Sequence, residues 1–306
     1  MWSFLVRRLA SAVLVIVGVV LLVSVLIHLV PGDPVEMMLG ETAPAADRES
    51  LRRALGLDQP MLTQISKYFL QLVHLDLGES LHSQRAVVDL LAERIPATAQ
   101  LAVAALLTAV LIAFPLGVVA AAYKDRMLDR FAMTLSTAGI SIPNFWLGPI
   151  LILFFSVQLG WFPVSGKSGL LSLILPAITL GTAMAAILAR MIRASLLEVL
   201  TEQYVLTARA KGLSQFATLY SHAVPNALLP VLTLVGLQLG ALLAGAVITE
   251  TVFSWPGIGQ LTVEAIHRRD YPVVQGCVLL ISLTYVLVNT LTDIAYGIID
   301  PRIRLD

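Results

Sequence analysis

Charge is scarce in this sequence. Asp, Glu, Lys and Arg together make up 13% of the 306 residues, hydrophobic residues make up 58%, and mean hydropathy is +0.86. Soluble domains carry roughly twice that share of charge, so a water-soluble globular protein is excluded. Cysteine is nearly absent: Cys277 stands alone, which rules out an intrachain disulfide and a thiol-zinc framework. Histidines are few, and His28 has no second histidine at ligand spacing, so no metal site is expected. Neither H-E-x-x-H nor G-x-S-x-G occurs, and no catalytic residue is assigned. Ser165-Gly166-Lys167-Ser168 resembles the tail of a P-loop, but Trp161 stands where that motif needs glycine. The formal net charge of +0 carries no nucleic-acid signal, and nucleic acid is not an expected partner.

What the chain has in quantity is long apolar stretches. Crossing roughly 30 Å of hydrocarbon takes about 20 residues of helix. Six stretches qualify: Leu9–Val30, Thr98–Ala122, Phe131–Leu159, Leu171–Ile192, Leu228–Phe253 and Gly276–Ile299. Their continuous apolarity favours helices over alternating barrel strands. The expected class is all-α, a polytopic membrane protein with six transmembrane helices in the lipid bilayer. The first stretch, although preceded by Arg7 and Arg8, exceeds a signal-peptide core and lacks a small-x-small site, so it reads as a span.

Basic residues of the short loops set the orientation. Arg7, Arg8, Lys124, Arg126, Arg130, Arg190, Arg193, Arg209, Lys211, Arg302 and Arg304 fall on one side, against Lys167, Arg268 and Arg269 on the other. The richer side is expected to be cytosolic, with both termini there. The chain then divides into residues 1–30 (cytosolic terminus and first span), 31–97 (an extracytoplasmic connection) and 98–306 (a core of five spans). Within the connection, Asp47–Leu55, Met61–Val73 and Ala86–Ile95 read as short amphipathic helices, separated by turns such as Asp58-Gln59-Pro60 and Asp76-Leu77-Gly78.

The most informative polar segment runs through the cytosolic loop at 194–225. Leu197, Leu200, Tyr204, Ala208 and Lys211 recur at helical spacing, and Gly212 suits the left-handed residue that ends a helix. Ser214 is placed to cap a second short helix with Phe216, Leu219 and Tyr220 on one face, closed by Pro225. The predicted product is a stiff helix–turn–helix. The last outer turn has a different character: Pro256, Gly257 and Gly259 argue against a regular helix, and Trp255 suits a membrane–water boundary. Glu250, Arg268, Arg269 and Asp270 place charges around that turn, suited either to the termini of a passing zwitterionic solute or to anchoring the loop.

Two stripes of small residues, Ala177-Gly181-Ala185-Ala189 and Gly236-Gly240-Ala244, permit close helix approach, for static packing or for lining an interface or pathway. Asp293, with Asn289 one turn away, is the ionisable group deepest in a span. A structural pairing with Arg190 or Arg193 suits it better than a proton relay, which needs several such groups.

Thr207-Ala208-Arg209-Ala210-Lys211-Gly212 with Pro225 resembles the cytoplasmic EAA loop of ABC-importer permeases. Leu206 replaces that loop's glutamate and Thr207 its first alanine, as in the dipeptide/oligopeptide/nickel branch. Pro31-Gly32-Asp33-Pro34, Leu55-Gly56-Leu57-Asp58-Gln59-Pro60, Pro143-Asn144-Phe145-Trp146-Leu147-Gly148, Phe253-Ser254-Trp255-Pro256-Gly257-Ile258-Gly259 and Asp300-Pro301-Arg302-Ile303-Arg304 are similar to strings of that branch, in its order.

The resemblance implies a type I (MetI-like) permease fold in a bacterial cytoplasmic membrane. It implies import of dipeptides or short oligopeptides, with nickel, nickel-chelate or glutathione as the alternative. It also implies a second homologous permease subunit, two cytosolic ATPase subunits that carry the ATP and Mg, and an extracytoplasmic solute-binding protein; this chain itself would bind no cofactor. Tyr204, Thr207, Ala208, Arg209, Ala210, Lys211, Gly212 and Pro225 would form the ATPase-docking element. Glu250, Trp255, Pro256, Gly257, Arg269 and Asp270 would belong to the pathway or its gate. A secondary transporter is the reading from a different class, and it would show broken or charged spans in corresponding halves.

Overall fold

The computed structural model describes residues 2–29, 34–39, 44–54 and 58–299. The described residues are almost wholly helical: α1 (Trp2–Leu29), α2 (Pro34–Leu39), α3 (Ala45–Ala54), α4 (Met61–Val73), α5 (Val87–Ala122), α6 (Met127–Ser141), α7 (Asn144–Leu151), α8 (Leu171–Val199), α9 (Gln203–Ala210), α10 (Gln215–Thr218), α11 (Val224–Val252), α12 (Ile258–Arg268) and α13 (Tyr271–Ile299). The chain forms two compact units. Among the described residues, one joins those up to Thr98 to Pro256–Val286, and the other joins Ala99–Trp255 to Leu287–Ile299.

Three helices are long and apolar enough to cross a membrane unaided, Val87–Ala122, Leu171–Val199 and Tyr271–Thr292, and two bent pairs raise this to five. The first expected span, Leu9–Val30, falls on α1 as far as Leu29, and Val30 lies outside the described residues. The third expected span, Phe131–Leu159, is not one straight helix. It breaks by 101° between α6 and the segment Asn144–Gln158. Pro143 explains the break: Ile142 is pushed to extended backbone (φ −90°, ψ 114°), as residues before proline are, and the helix cannot continue. Beyond α7 the turn widens into a π-helical stretch, Ile152–Gln158.

Pro96, by contrast, ends nothing. The short helix expected over Ala86–Ile95 and the span expected from Thr98 are one 36-residue helix, α5. Proline costs this helix one hydrogen bond, but the first turns are fixed from outside. Val87 and Leu91 pack into a buried cluster with Ile258, Leu261, Ala265, Val273 and Cys277. Gly276 makes room for it, since a Cβ there would meet Val87 Cγ1 at 2.5 Å. Tertiary packing outweighs the local rule. Cys277 is free and fully buried, as a small apolar residue would be.

In the second unit, α8 is the central element and its small-residue face is where neighbours come closest. A Cβ on Gly181 would meet the Ala105 carbonyl oxygen at 2.7 Å, and one on Gly139 of α6 would meet Ala186 Cβ at 3.3 Å. The α8 stripe is therefore buried within this chain. Gly236 of α11 is filled in the same way by Thr292, whose Cγ2 lies 2.1 Å from where a Cβ would stand. Close approach of this kind suits helices packing in lipid, where small faces rather than a hydrophobic effect allow contact.

One buried ion pair locks α6 to α8. Arg193 Nε and Nη2 donate to Asp129 Oδ1 and Oδ2 at 2.6 and 2.7 Å, and the Asp125 N–H donates to Oδ2 at 2.9 Å. Asp129 is 3% exposed, and the forked geometry satisfies its carboxylate with three donors. Arg193 thus has Asp129 as its partner. The Asp293 side chain lies outside the described residues, as do those of His28 and Ala244.

Candidate functional site

The helix–turn–helix forms at the end of α8. After Val199 the chain turns through Leu200–Glu202 into α9, whose last turn closes with a six-to-one bond from Leu213 N–H to the Ala208 carbonyl (3.3 Å) and a bond from Gly212 N–H to the Arg209 carbonyl (2.9 Å). This is the Schellman arrangement, and it requires its penultimate residue to be left-handed. Gly212 supplies that at φ +87°, with nothing within 4 Å of a notional Cβ. The backbone conformation, not a shortage of space, asks for glycine. Ser214 then accepts a hydrogen bond from Ala217 N–H at 3.2 Å and caps α10.

The expected end of the second helix is corrected. Pro225 does not close it: α10 runs through a π-helical stretch, Leu219–Ala223, directly into α11, and Pro225 sits in the first turn of α11. Its missing N–H falls just after that wider π-helical turn, a common way for a helix to take in a residue that cannot donate. The second helix of the segment is thus continuous with α11 rather than closed off from it, and α11 bends by 47° between Leu228 and Pro230.

Its side chains divide cleanly. Val205, Ala208, Thr218, Leu219 and Ala223 face inward and are buried. Tyr204, Leu206, Thr207, Arg209, Ala210, Lys211, Phe216 and Tyr220 face outward. Phe216 is 70% exposed and stacks on Tyr220, ring centroids 4.4 Å apart. Ala208 is therefore small because its own bundle approaches it, and the outward surface is built by two aromatics flanked by cations. Behind the turn a cleft of about 290 Å³ is lined by Lys124, Leu197, Leu200, Arg209, Gln215 and Leu219.

The turn after α11 is built the opposite way. α11 ends at Phe253, Ser254 takes φ +49°, and Trp255 N–H bonds to the Glu250 carbonyl at 2.8 Å. Trp255 and Glu250 are both 0% exposed, so Trp255 is a core ring and not a boundary one. The charge beside it is Lys167, whose ammonium stands 5.6 Å from a Trp255 ring centroid. Glycine at 257 and 259 does not prevent a helix: Gly257 is the N-terminal cap of α12, and Gly259 lies in its first turn.

α12 ends in the same Schellman pattern, but on an arginine. Arg269 is left-handed at φ +55°, and Asp270 N–H bonds to the Ala265 carbonyl at 2.9 Å. Asp270 is buried, accepting from the Ser80 hydroxyl at 2.5 Å and from the Leu81 N–H at 3.1 Å. Its carboxylate is spent on fixing the turn at residues 79–86, where Glu79 and Ala86 form an isolated antiparallel bridge. Sequence reasoning missed Ser80, Asp129 and Lys167. Of these only Asp129, an acid at the mouth of an apolar stretch, carried a readable signal.

This arrangement of bundle and protruding helix pair is the fold of ABC-importer permeases. The chain superimposes on a permease chain of the MetNI methionine ABC transporter, solved in inward-facing form, with a TM-score of 0.59 at 21% identity over 69% of this chain and 96% of that one. A solved amino acid ABC transporter matches with a TM-score of 0.52 at 16% identity, covering 71% and 95%. The chain belongs to the family of binding-protein-dependent transport system inner membrane components, whose model matches residues 113–305. The N-terminal model for such membrane components matches residues 1–102. It is 48% identical to the di/tripeptide transport system permease protein DppB of Pseudomonas aeruginosa (strain UCBPP-PA14), and 42% identical to the glutathione transport system permease protein GsiC of Escherichia coli (strain K12), with 99% of both chains covered in each case. It is a membrane permease component of an ABC transporter.

Proposed function

We propose that this permease moves dipeptides or short oligopeptides into the cytosol, received from an extracytoplasmic binding protein. The observation that carries the substrate class is the 48% identity, over essentially the whole chain, to a di/tripeptide permease. Glutathione is the second reading, favoured by the 42% identity to the glutathione permease; it is itself a small peptide, so both readings ask for a pathway suited to a zwitterion. The experiment is uptake into proteoliposomes holding the assembled transporter, its binding protein and ATP. Dipeptide uptake with no glutathione uptake supports the first reading, and the reverse supports the second. Uptake driven by an ion gradient without ATP would sink both.

Energy for that movement would come from two cytosolic ATPase subunits, which bind ATP and Mg, acting on this chain and on a second homologous permease. The docking element in this reading is residues 203–225. Support comes from its construction: backbone hydrogen bonds close the Gly212 turn, Ser214 caps α10, and α10 continues through the π-helical stretch into α11, so a push on Phe216 or Tyr220 would reach the first turns of α11, ahead of its 47° bend between Leu228 and Pro230. Arg209 and Lys211 beside them would meet acidic groups on an ATPase. The same reading places both termini in the cytosol, on the side that carries Lys124, Arg126, Arg209 and Lys211.

The gate reading narrows. Glu250, Trp255 and Asp270 would act from within, holding the turn, while Pro256, Gly257 and Arg269 remain the candidates for contact with solute. Lys167, over Trp255, is a separate candidate cation for a peptide carboxylate.

A further inference from the structure

We propose that α4 is a membrane-surface anchor: its Leu62, Leu70 and Val73 strip lies among the phospholipid acyl chains of the leaflet on its side, with Lys67 reaching the headgroups. This rests on α1 and α13 spanning the bilayer, and it concerns the first compact unit alone.

α4 has three faces, not two. The first packs inward: Ile65 and Tyr68 are buried, and Tyr68 shares a cluster with Val20 of α1 and Leu279 of α13, backed by Ile16, Phe69 and Leu72. Those partners fix its depth. In the sequence, Val20 lies ten residues inside the end of the apolar stretch Leu9–Val30, and Leu279 three residues inside the start of Gly276–Ile299. At about 1.5 Å per residue these contacts lie roughly 15 and 5 Å inside the apolar ends of the two stretches. A helix seated there is below the polar boundary, not above it.

The second face continues around the helix from the first. Leu62, Leu70 and Val73 are 81%, 66% and 76% exposed, interrupted only by Ser66. On α1 too, large apolar side chains are bare: Leu14, Leu21, Leu22 and Val25 are exposed. Together the packed face and the strip cover an arc of about 200° at 100° per residue. The third face, Thr63, Lys67 and Gln71, is exposed, polar and confined to the remaining sector. A helix covering a bundle from the water side would be polar wherever it is exposed. One apolar over most of its circumference, with a narrow polar stripe holding a lysine, matches a helix lying in the interface, with the long lysine stem crossing to the headgroups. The flanks agree: Asp58 precedes α4, His74 and Asp76 follow it, and all three are exposed.

The anchor predicts which medium each face meets. Single cysteines at Leu70, Val73 and Gln71, in a Cys277→Ala background, would be labelled with an environment-sensitive fluorophore on the full chain in phospholipid nanodiscs. Leu22→Cys on α1 serves as the lipid-facing control. Labels at 70 and 73 should be quenched several-fold more by lipids brominated on their acyl chains than by aqueous iodide, as at 22, and the label at 71 should show the reverse preference. Quenching by iodide at 70 and 73, with lipid quenching kept at 22, would overturn the anchor while leaving the spans intact. Protection from both quenchers would overturn it in favour of a protein partner. Loss of lipid quenching at 22 as well would count against the spans themselves. If Cys277→Ala perturbs the fold, the same labels in the unmodified background decide it, because Cys277 is fully buried.

Discussion

α9 and α12 end in the same hydrogen-bonded turn, and the two turns were solved by different means. At Gly212 the left-handed residue is glycine, its surroundings are empty, and the side chains on either side point away from the bundle. At Arg269 a non-glycine residue takes φ +55°, and the next residue, Asp270, is buried and held by Ser80 and Leu81. Left-handed backbone costs a residue with a side chain about 1 kcal/mol or more, so it persists where the surroundings over-determine it. The first turn is shaped by its own backbone, as a protrusion must be. The second is shaped by the core it caps. Both segments are short, polar and interrupted by glycine or proline in the sequence, and they differ only in what surrounds them.

If that contrast holds, the enclosed turn is where substitution does most damage to folding. Trp255→Ala removes a fully buried ring beneath Lys167 and should cost about 3–5 kcal/mol, the range for large aromatics deleted from packed interiors. Thermal unfolding of purified protein in detergent should show a fall of several degrees. A loss as small as that of a surface substitution would break the comparison, for it would make Trp255 the boundary residue that its sequence context suggested.

Asp270→Ala comes next. It strands the Ser80 hydroxyl and the Leu81 N–H, and hydrogen bonds to a charged acceptor contribute about 1.5–3 kcal/mol each way of counting. Proteolytic sensitivity within residues 79–86 should rise along with the loss of thermal stability. If uptake falls while stability and protease resistance are unchanged, Asp270 contacts solute and the enclosed reading is wrong.

Gly212→Val tests the other turn. A β-branched residue at φ +87° costs about 1–2 kcal/mol locally, with no clash to add to it. Membrane insertion and the unfolding temperature should shift little, while co-purification of ATPase subunits and ATP-driven uptake fall together. Uptake at the level of the unmodified protein would remove the docking role from this turn.

The sequence made the helices legible and their surroundings much less so. Periodicity and apolar length placed five of the six expected stretches on long helices, α1, α5, α8, α11 and α13, and missed the break in the other, Phe131–Leu159. The turn at Gly212 and the cap at Ser214 were readable because both are local backbone chemistry. Proline was the unreliable sign. Pro143 broke its helix by 101°, Pro225 began one, and Pro96 sits inside one that packing at Val87 and Leu91 holds straight on. The outcome at a proline depends on what its neighbours pack against, and that is decided by residues far away in the chain. The same holds for Glu250, Trp255 and Asp270. Their types suit an exposed gate and a buried brace equally, and the partners that decide between these, Lys167 and Ser80, are about 90 and 190 residues distant, separations at which local pattern carries no weight.

The smallest expected change in stability is the most diagnostic for function. Phe216 is 70% exposed, and its contact with Tyr220 joins two residues that both face away from the bundle. Phe216→Ala should therefore move stability within about 0.5 kcal/mol, as substitutions at open surface positions do. A large apolar ring kept in the open at the tip of a rigid helix pair needs another reason to be there, and an aromatic anchor entering a pocket of a partner supplies one. On the docking reading, Phe216→Ala weakens association with the ATPase subunits by tenfold or more and slows uptake, with the unfolding curve unmoved. Phe216→Leu, which keeps apolar bulk, should recover part of that loss. Trp255→Ala does the reverse, lowering stability first and association only as the fold fails. Should Phe216→Ala destabilise the chain as Trp255→Ala does, the outward surface of α10 belongs to the core, and the distinction between the two turns fails with it.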